Sequence, residues 1–215
     1  MNYDLYVITD SPLAGGRSHD EIVKLTIEGG ADVIQLRDKA CSSTELVEIG
    51  NRIRKIARKT GTTFIVNDHL NVALACDADG VHLGQGDLSV RRARKIVPKD
   101  FIIGVSVGSV SEALKAFNDG ADYIAASPVF PTEQKKEAIT FCGLEGVRQI
   151  RVAVDIPLVA IGGIGLHNIR DVLMTGVDGV AVISAVMAQP DISSATRELK
   201  QRIREIKIER LAQLR

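Results

Sequence analysis

No sign of charge prevails in this chain. Lysine plus arginine and aspartate plus glutamate each count 27, so the formal net charge is zero. That balance excludes the strong basic or acidic excess expected where nucleic acid or an anionic membrane is the main partner. Cysteine is scarce: Cys41, Cys76 and Cys142 have no metal-ligand spacing, and their odd number argues against a disulfide framework. They read as small side chains in a reducing compartment. No apolar run approaches the ~20 residues that cross a bilayer, and the opening MNYDLYVITD has no charged region followed by a long apolar one. The expectation is a soluble, cytoplasmic protein. Linkers are lacking too, since no proline- or serine-rich stretch divides the chain, which predicts a single domain over 1–215.

What the chain does have is alternation. Eight short apolar runs, rich in β-branched residues, lie at Leu5–Ile8, Val33–Leu36, Phe64–Val66, Gly80–Leu83, Ile102–Val105, Tyr123–Ala126, Leu158–Ile161 and Val180–Ile183. Each is nearly continuous in apolar character, as parallel strands covered on both faces are. Helical patterns lie between them at His19–Glu28, Thr44–Lys59, Val90–Ile96, Val110–Asn118, Glu145–Val152 and Asn168–Met174. This order requires a parallel sheet with crossover helices. Eight strands fit a closed (β/α)8 TIM barrel better than an open doubly wound sheet, although periodicity alone does not show closure. A weak repeat, Gly30-Ala31-Asp32, Gly120-Ala121-Asp122 and Gly176-Val177-Asp178, marks helix-to-strand turns in which glycine ends the helix and aspartate bonds the loop. A charged amphipathic helix is expected as a C-terminal extension at about 195–214, with Leu199, Ile203, Ile206 and Leu211 on its apolar side.

In a barrel the chemistry collects where strands end. The second run leads into Gln35-Leu36-Arg37-Asp38-Lys39, which puts Gln35, Arg37 and Lys39 on one face. Such groups are costly at the end of a buried strand without partners. They read as an anion site, against the plainer reading of an ion-paired interior with Asp38. Asn67-Asp68-His69 and His82-Leu83-Gly84-Gln85-Gly86-Asp87 follow the third and fourth runs. Asp68 and Asp87 thus emerge at adjacent strand ends, where two carboxylates suit Mg²⁺; singly, each reads as a helix N-cap. His69 and His82 have no zinc-like spacing and read as structural, the alternative for His69 being a place lining the mouth. Ser106 fits a phosphate donor and a helix cap equally well. The sixth run opens into a loop, Ser127 to Glu137, able to close over a ligand. Gly162-Gly163 after the seventh run and Ser184 after the eighth fit the phosphate-binding position common in barrels.

Taken together and in this order, IQLRDK, VND, VHLGQGD, GVS, GADYI, SPVFPTEQKK, AIGGI and GVAVISA resemble the thiamin phosphate synthase (thiamine-phosphate pyrophosphorylase) family. The resemblance runs from the YVITD strand to the VAVISAV strand. It implies a transferase that joins hydroxymethylpyrimidine diphosphate to a thiazole phosphate, with Mg²⁺ as cofactor and small phosphorylated molecules as partners; self-association stays open. It assigns Gln35, Leu36, Arg37, Asp38, Lys39, Asn67, Ser106 and Lys135 to the pyrimidine diphosphate, with Arg37, Lys39, Ser106 and Lys135 catalytic. Thr132, Glu133, Gln134, Gly163, Ile183 and Ser184 fall to the thiazole phosphate, and Asp68 and Asp87 to the metal. Bottom-up chemistry agrees: cations and Mg²⁺ neutralise a leaving diphosphate, and an aminopyrimidine stabilises the cation of an SN1-like path, so no nucleophile or general base is needed. The chain departs from the family pattern at His69 (commonly arginine), Gln134 (commonly threonine) and Gly108 (commonly histidine). A related thiazole tautomerase is the nearest competing enzyme, and a non-catalytic phosphate-ligand sensor the competing class.

Overall fold

Eight parallel strands are hydrogen-bonded in sequence order and the eighth pairs with the first, closing a barrel. A computed structural model describes residues 2–131 and 141–213. The strands are β1 (Leu5–Ile8), β2 (Val33–Leu36), β3 (Thr63–Asn67), β4 (Gly80–Leu83), β5 (Ile102–Val107), β6 (Tyr123–Ala126), β7 (Leu158–Ile161) and β8 (Gly179–Val182). All eight runs expected from the sequence are strands, within two residues at each end.

The helices are α1 (His19–Glu28), α2 (Ser43–Thr60), α3 (Leu70–Ala75), α4 (Val90–Ala93), α5 (Val110–Asp119), α6 (Gly143–Ala153), α7 (Ile169–Leu173), α8 (Ser184–Met187) and α9 (Ile192–Gln213). Local chemistry sets their ends. Ser42 and Glu45 form a reciprocal capping box at the start of α2, whose last turn closes on Gly61 in the left-handed region. Ser109 accepts the Glu112 N–H to start α5, and Gly120 ends it at φ +94°. Periodicity gave no warning of α3 and α8, which at six and four residues are too short to express it. The helix expected over Val90–Ile96 breaks into tight three-residue turns after Ala93, ahead of Pro98.

Two apolar layers result. The larger lies between the sheet and the helices and takes in Leu5, Val7, Ile34, Leu36, Phe64, Val66, Ile103 and Ile124. The smaller fills the barrel: Tyr3, Tyr6, Ile8, Val33, Ile65, Tyr123, Val159 and Ala181. The chain has three tyrosines and all of them are here. Tyr123 is accommodated because β5 carries Gly104 opposite it; a Cβ there would sit 2.0 Å from the tyrosine ring.

At the strand N-termini the aspartates of the sequence repeat do more than bond their own turns. Asp32 accepts the Leu5 N–H at 2.9 Å, Asp122 the Ile103 N–H at 2.7 Å, and Asp178 the Leu158 N–H at 2.8 Å. Asp79, absent from the repeat, accepts the Phe64 N–H at 2.8 Å. Each therefore joins an even strand to the odd strand before it. Each is also ion-paired to the helical layer, with Lys200, Arg94, Arg151 and Arg54 respectively.

The helix expected at about 195–214 begins at Ile192 and occupies the place of the eighth barrel helix. Its Leu199, Ile203 and Ile206 are buried, whereas Leu211 is exposed. Lys200 inserts between Asp4 at 3.0 Å and Asp32 at 2.5 Å, with its side chain 5% exposed. Replacing Lys200 by methionine leaves Asp32 without its cation and Asp4 with Lys207 alone, and is expected to cost about 3 kcal/mol in urea denaturation. The same change at the more exposed Arg202 should stay within about 0.5 kcal/mol.

Candidate active site

Polar groups enter the barrel interior at the C-terminal half of its strands, and they are joined. The Gln35 amide donates to the Tyr6 hydroxyl at 2.7 Å, and Tyr6 and Tyr123 hydroxyls lie 2.9 Å apart. His82 Nδ1 is 2.9 Å from the Tyr123 hydroxyl, and its Nε2 is 2.9 Å from Ser106 Oγ. Burial pushes both phenols well above the usual tyrosine range, so neither carries charge. With Gln35 donating, the Tyr6 proton turns to Tyr123 and the Tyr123 proton to His82 Nδ1. The imidazole thus links the Tyr123 hydroxyl to the Ser106 hydroxyl. Ser106 is not the cap of α5, a place taken by Ser109.

Arg37 continues the inward face of β2, and its side chain is half-buried, 3.7 Å from Asp10. Lys39 is exposed. Leu36 packs outward among the helices, so only its backbone faces the mouth. Asp38 turns away from the mouth as well: His19 Nε2 lies 3.0 Å from one oxygen, while the Ala40 and Cys41 N–H groups donate to the other. Burial pushes the Asp38 carboxyl upward, but the bonds from His19 and Ala40 outweigh it and hold the group below the usual range.

Asp68 and Asp87 face each other across the ends of β3 and β4, within hydrogen-bonding reach. Neither is a helix cap; His69 and Ser89 hold those places. Asp68 has φ +60°, a left-handed conformation that aspartate tolerates, and its N–H donates to the His82 carbonyl at 2.8 Å. Asp87 is exposed and accepts the Gly84 N–H at 2.7 Å. Burial first, and then the neighbouring Asp87, raise the Asp68 carboxyl to about 6. Two adjacent carboxylates, the charged form of Asp68 being disfavoured by burial and by its neighbour, suit a hard divalent cation. Among the described residues no group of three or more acidic, histidine or cysteine side chains gathers as a metal cage; Mg²⁺ commonly keeps waters and substrate oxygens instead.

Two cavities meet at the mouth. The inner one, about 130 Å³, is floored by Ile8 and Ala181 and walled by Gln35, Ser106, Gly163, Ile183 and Ser184. The outer one, about 590 Å³, is lined by Lys39, Asp68, Gly84, Gln85, Gly108 and Glu112. Arg37, Asn67, His82, Ser106 and Ser127 line both. Gly162 and Gly163 adopt φ +108° and +64°, and a Cβ on either would strike the segment 128–131 at 2.7 and 2.6 Å. Those glycines therefore let the loop after β6 lie against the loop after β7. The Ser127–Pro128 peptide bond in that segment is cis. Thr132, Glu133, Gln134 and Lys135 lie outside the described residues.

Sequence reasoning missed His19, Tyr6 and Tyr123, and took His82 as merely structural. The tyrosines carried a signal: three in a chain that is 4% aromatic, each on or beside a strand, with a glycine in the run opposite one of them.

This arrangement defines a closed-barrel enzyme whose strand ends gather cations, paired carboxylates and a glycine loop around two joined cavities. A family model described as thiamine monophosphate synthase matches residues 5–186, and the chain belongs to that family, a family of transferases. The thiamine-phosphate synthase of Methanoregula boonei is 59% identical over 203 residues, 94% of each chain. That of Pyrococcus horikoshii is 50% identical over 202 residues, covering 94% of this chain and 95% of the relative. The solved thiamine phosphate pyrophosphorylase of Pyrococcus furiosus superposes with a TM-score of 0.87 at 48% identity, covering 94% of this chain and 96% of that one. Among the described residues no helix is long and apolar enough to cross a membrane.

The raised Asp68 carboxyl makes a signed prediction. Its folded pKa of about 6 exceeds the ordinary 3.8, so its contribution to stability is full below pH 3.8 and lost as pH rises through 6. Without divalent metal, Asp68→Asn should therefore be more stable than the parent by about 1 kcal/mol at pH 7.5, a figure discounted for the group's partial exposure. The difference should vanish near pH 4. Urea denaturation at both values checks this, and a pH-independent difference contradicts it.

Proposed function

We propose that this chain is a thiamin phosphate synthase. It would join 4-amino-2-methyl-5-(diphosphooxymethyl)pyrimidine and 4-methyl-5-(2-phosphooxyethyl)thiazole, giving thiamin phosphate and pyrophosphate. In the reaction the bond from the pyrimidine methylene carbon to the diphosphate oxygen breaks, its electron pair leaving with the diphosphate. The thiazole nitrogen then supplies the pair that forms the new C–N bond. The observation that carries this reading is the junction of the inner cavity with the outer one at Arg37, Asn67, His82 and Ser106.

The chain's own groups suit the two halves. The inner cavity offers an apolar floor beside the Gln35 amide, suited to a flat aminopyrimidine. Arg37 and Lys39 stand where a diphosphate leaving through the outer cavity gathers charge. The Ser106 hydroxyl, ordered through His82, donates toward an oxygen at the junction. Mg²⁺ held by Asp68 and Asp87 would neutralise charge on the diphosphate oxygens. Gly163, Ile183 and Ser184, on the other side of the inner cavity, remain the candidates for the thiazole phosphate, with Thr132, Glu133 and Gln134; Lys135 remains a candidate for the diphosphate. An electron-rich aminopyrimidine favours an SN1-like order, in which dissociation precedes attack, and the protein's task is then orientation and exclusion of water.

Pyrophosphate release by the purified protein is expected to require both substrates and Mg²⁺, with thiamin phosphate formed in equal amount. Isomerisation of a thiazole carboxylate phosphate without release would favour the tautomerase, and binding without any turnover the sensor. Asp87 is exposed, so Asp87→Asn should fold normally and lose at least about tenfold in turnover at limiting Mg²⁺, one carboxylate charge being gone. Lys135→Ala should weaken pyrimidine diphosphate engagement more than thiazole phosphate binding, and equal loss for both would contradict separate subsites.

A further inference from the structure

We infer that His19 is a positioning residue for the diphosphate half-site, fixing Arg37 and Lys39 from below without lining either cavity. This rests on the assignment of Arg37 and Lys39 to the leaving diphosphate.

His19 is the first residue of α1 and is 6% exposed. Its two ring nitrogens bridge two strand ends. An ionised carboxylate only accepts, so the 3.0 Å contact to Asp38 Oδ2 places the ring hydrogen on Nε2. Nδ1 lies 3.0 Å from Thr9 Oγ1. Thr9 Oγ1 in turn accepts the Arg37 N–H at 3.2 Å. On the other side, Asp38 accepts the N–H groups of Ala40 at 2.8 Å and Cys41 at 3.3 Å.

The bonds form a clasp with His19 at its centre. One arm holds the backbone just before Asp38, the other holds it just after Lys39. The segment 37–41 has no regular secondary structure to define it, so this clasp supplies the order that a helix or ladder would. Lys39, exposed between the two tethers, lines the outer cavity with its backbone already placed. Ordering a loop before the ligand arrives removes that entropy cost from binding, and the saving falls on the ligand that the loop touches. A buried histidine whose role is only packing would lower stability when replaced without choosing between substrates.

The test compares the parent with His19→Leu, which keeps bulk and removes both bonds, and His19→Gln, whose amide can donate to Asp38 and accept from Thr9. Thr9→Val, which breaks one arm at constant size, stands in if the leucine variant does not fold. The probes are calorimetric binding of inorganic pyrophosphate with Mg²⁺ and steady-state kinetics with each substrate varied. His19→Leu is expected to weaken pyrophosphate binding, and to raise KM for the pyrimidine diphosphate, by about tenfold. The KM for the thiazole phosphate should stay within about twofold and kcat within about threefold, the glutamine variant recovering most of the loss. Thr9→Val should shift the same two quantities in the same direction. Parent-like pyrophosphate binding in the variants, or equal rises in both KM values, overturns the positioning role alone. Absence of pyrophosphate binding by the parent overturns the functional reading and this inference with it.

Discussion

The barrel depends on carboxylates at its N-terminal rim. A closed parallel sheet must satisfy the N–H groups at the starts of its strands, and at that end four aspartates each accept one, from β1, β3, β5 and β7: Asp32, Asp79, Asp122 and Asp178. A charged acceptor makes a stronger bond than a neutral one, and the same carboxylate also holds a cation from the helical layer. Sheet and helices are thereby tied at four evenly spaced points. These ties lie at the rim opposite the candidate site. The opposite rim, where Arg37, Lys39, Asp68 and Asp87 gather like charges, can then carry electrostatic arrangements that are unfavourable without a ligand.

The interior mediates between the two rims. Tyr6 and Tyr123 fill it with aromatic volume, and their hydroxyls point into a chain of bonds that reaches Gln35 on one side and Ser106 on the other. Polar groups are tolerated at this depth because each has a partner. Four strands contribute through those side chains, and a fifth, β1, through Tyr6, so the orientation of Ser106 is set by closure of the barrel and not by its own neighbourhood. The two cavities share this network, since His82 and Ser106 line both.

Much of this was legible in the sequence. Nearly continuous apolar runs marked all eight strands because both strand faces are buried, with Gln35 and His82 the polar positions inside those runs. Strand geometry placed Gln35, and strand order placed Asp68 and Asp87, whereas Arg37 and Lys39 lie past the end of β2. Closure was not legible, since periodicity is the same in an open sheet, and neither was α8, a single turn. Asp38 shows a different limit. Its neighbours placed it in a charged strand end, yet its direction depends on His19, distant in sequence and unremarkable at the start of a helix. Asp79 shows the same. It performs the task of the repeat aspartates, but the preceding turn is Cys76-Asp77-Ala78 and not the glycine pattern, with Asp77 taking the positive φ.

The clamps at the rim also carry a direction in time. In three of them the cation precedes its aspartate along the chain, Arg54 before Asp79, Arg94 before Asp122 and Arg151 before Asp178, the last two by 28 and 27 residues. A chain leaving the ribosome N-terminus first has each of these pairs complete soon after its aspartate emerges. The fourth runs the other way: Asp32 must wait for Lys200, 168 residues later. During synthesis this tie can form only after α9 has emerged, long after the strands that Asp32 joins.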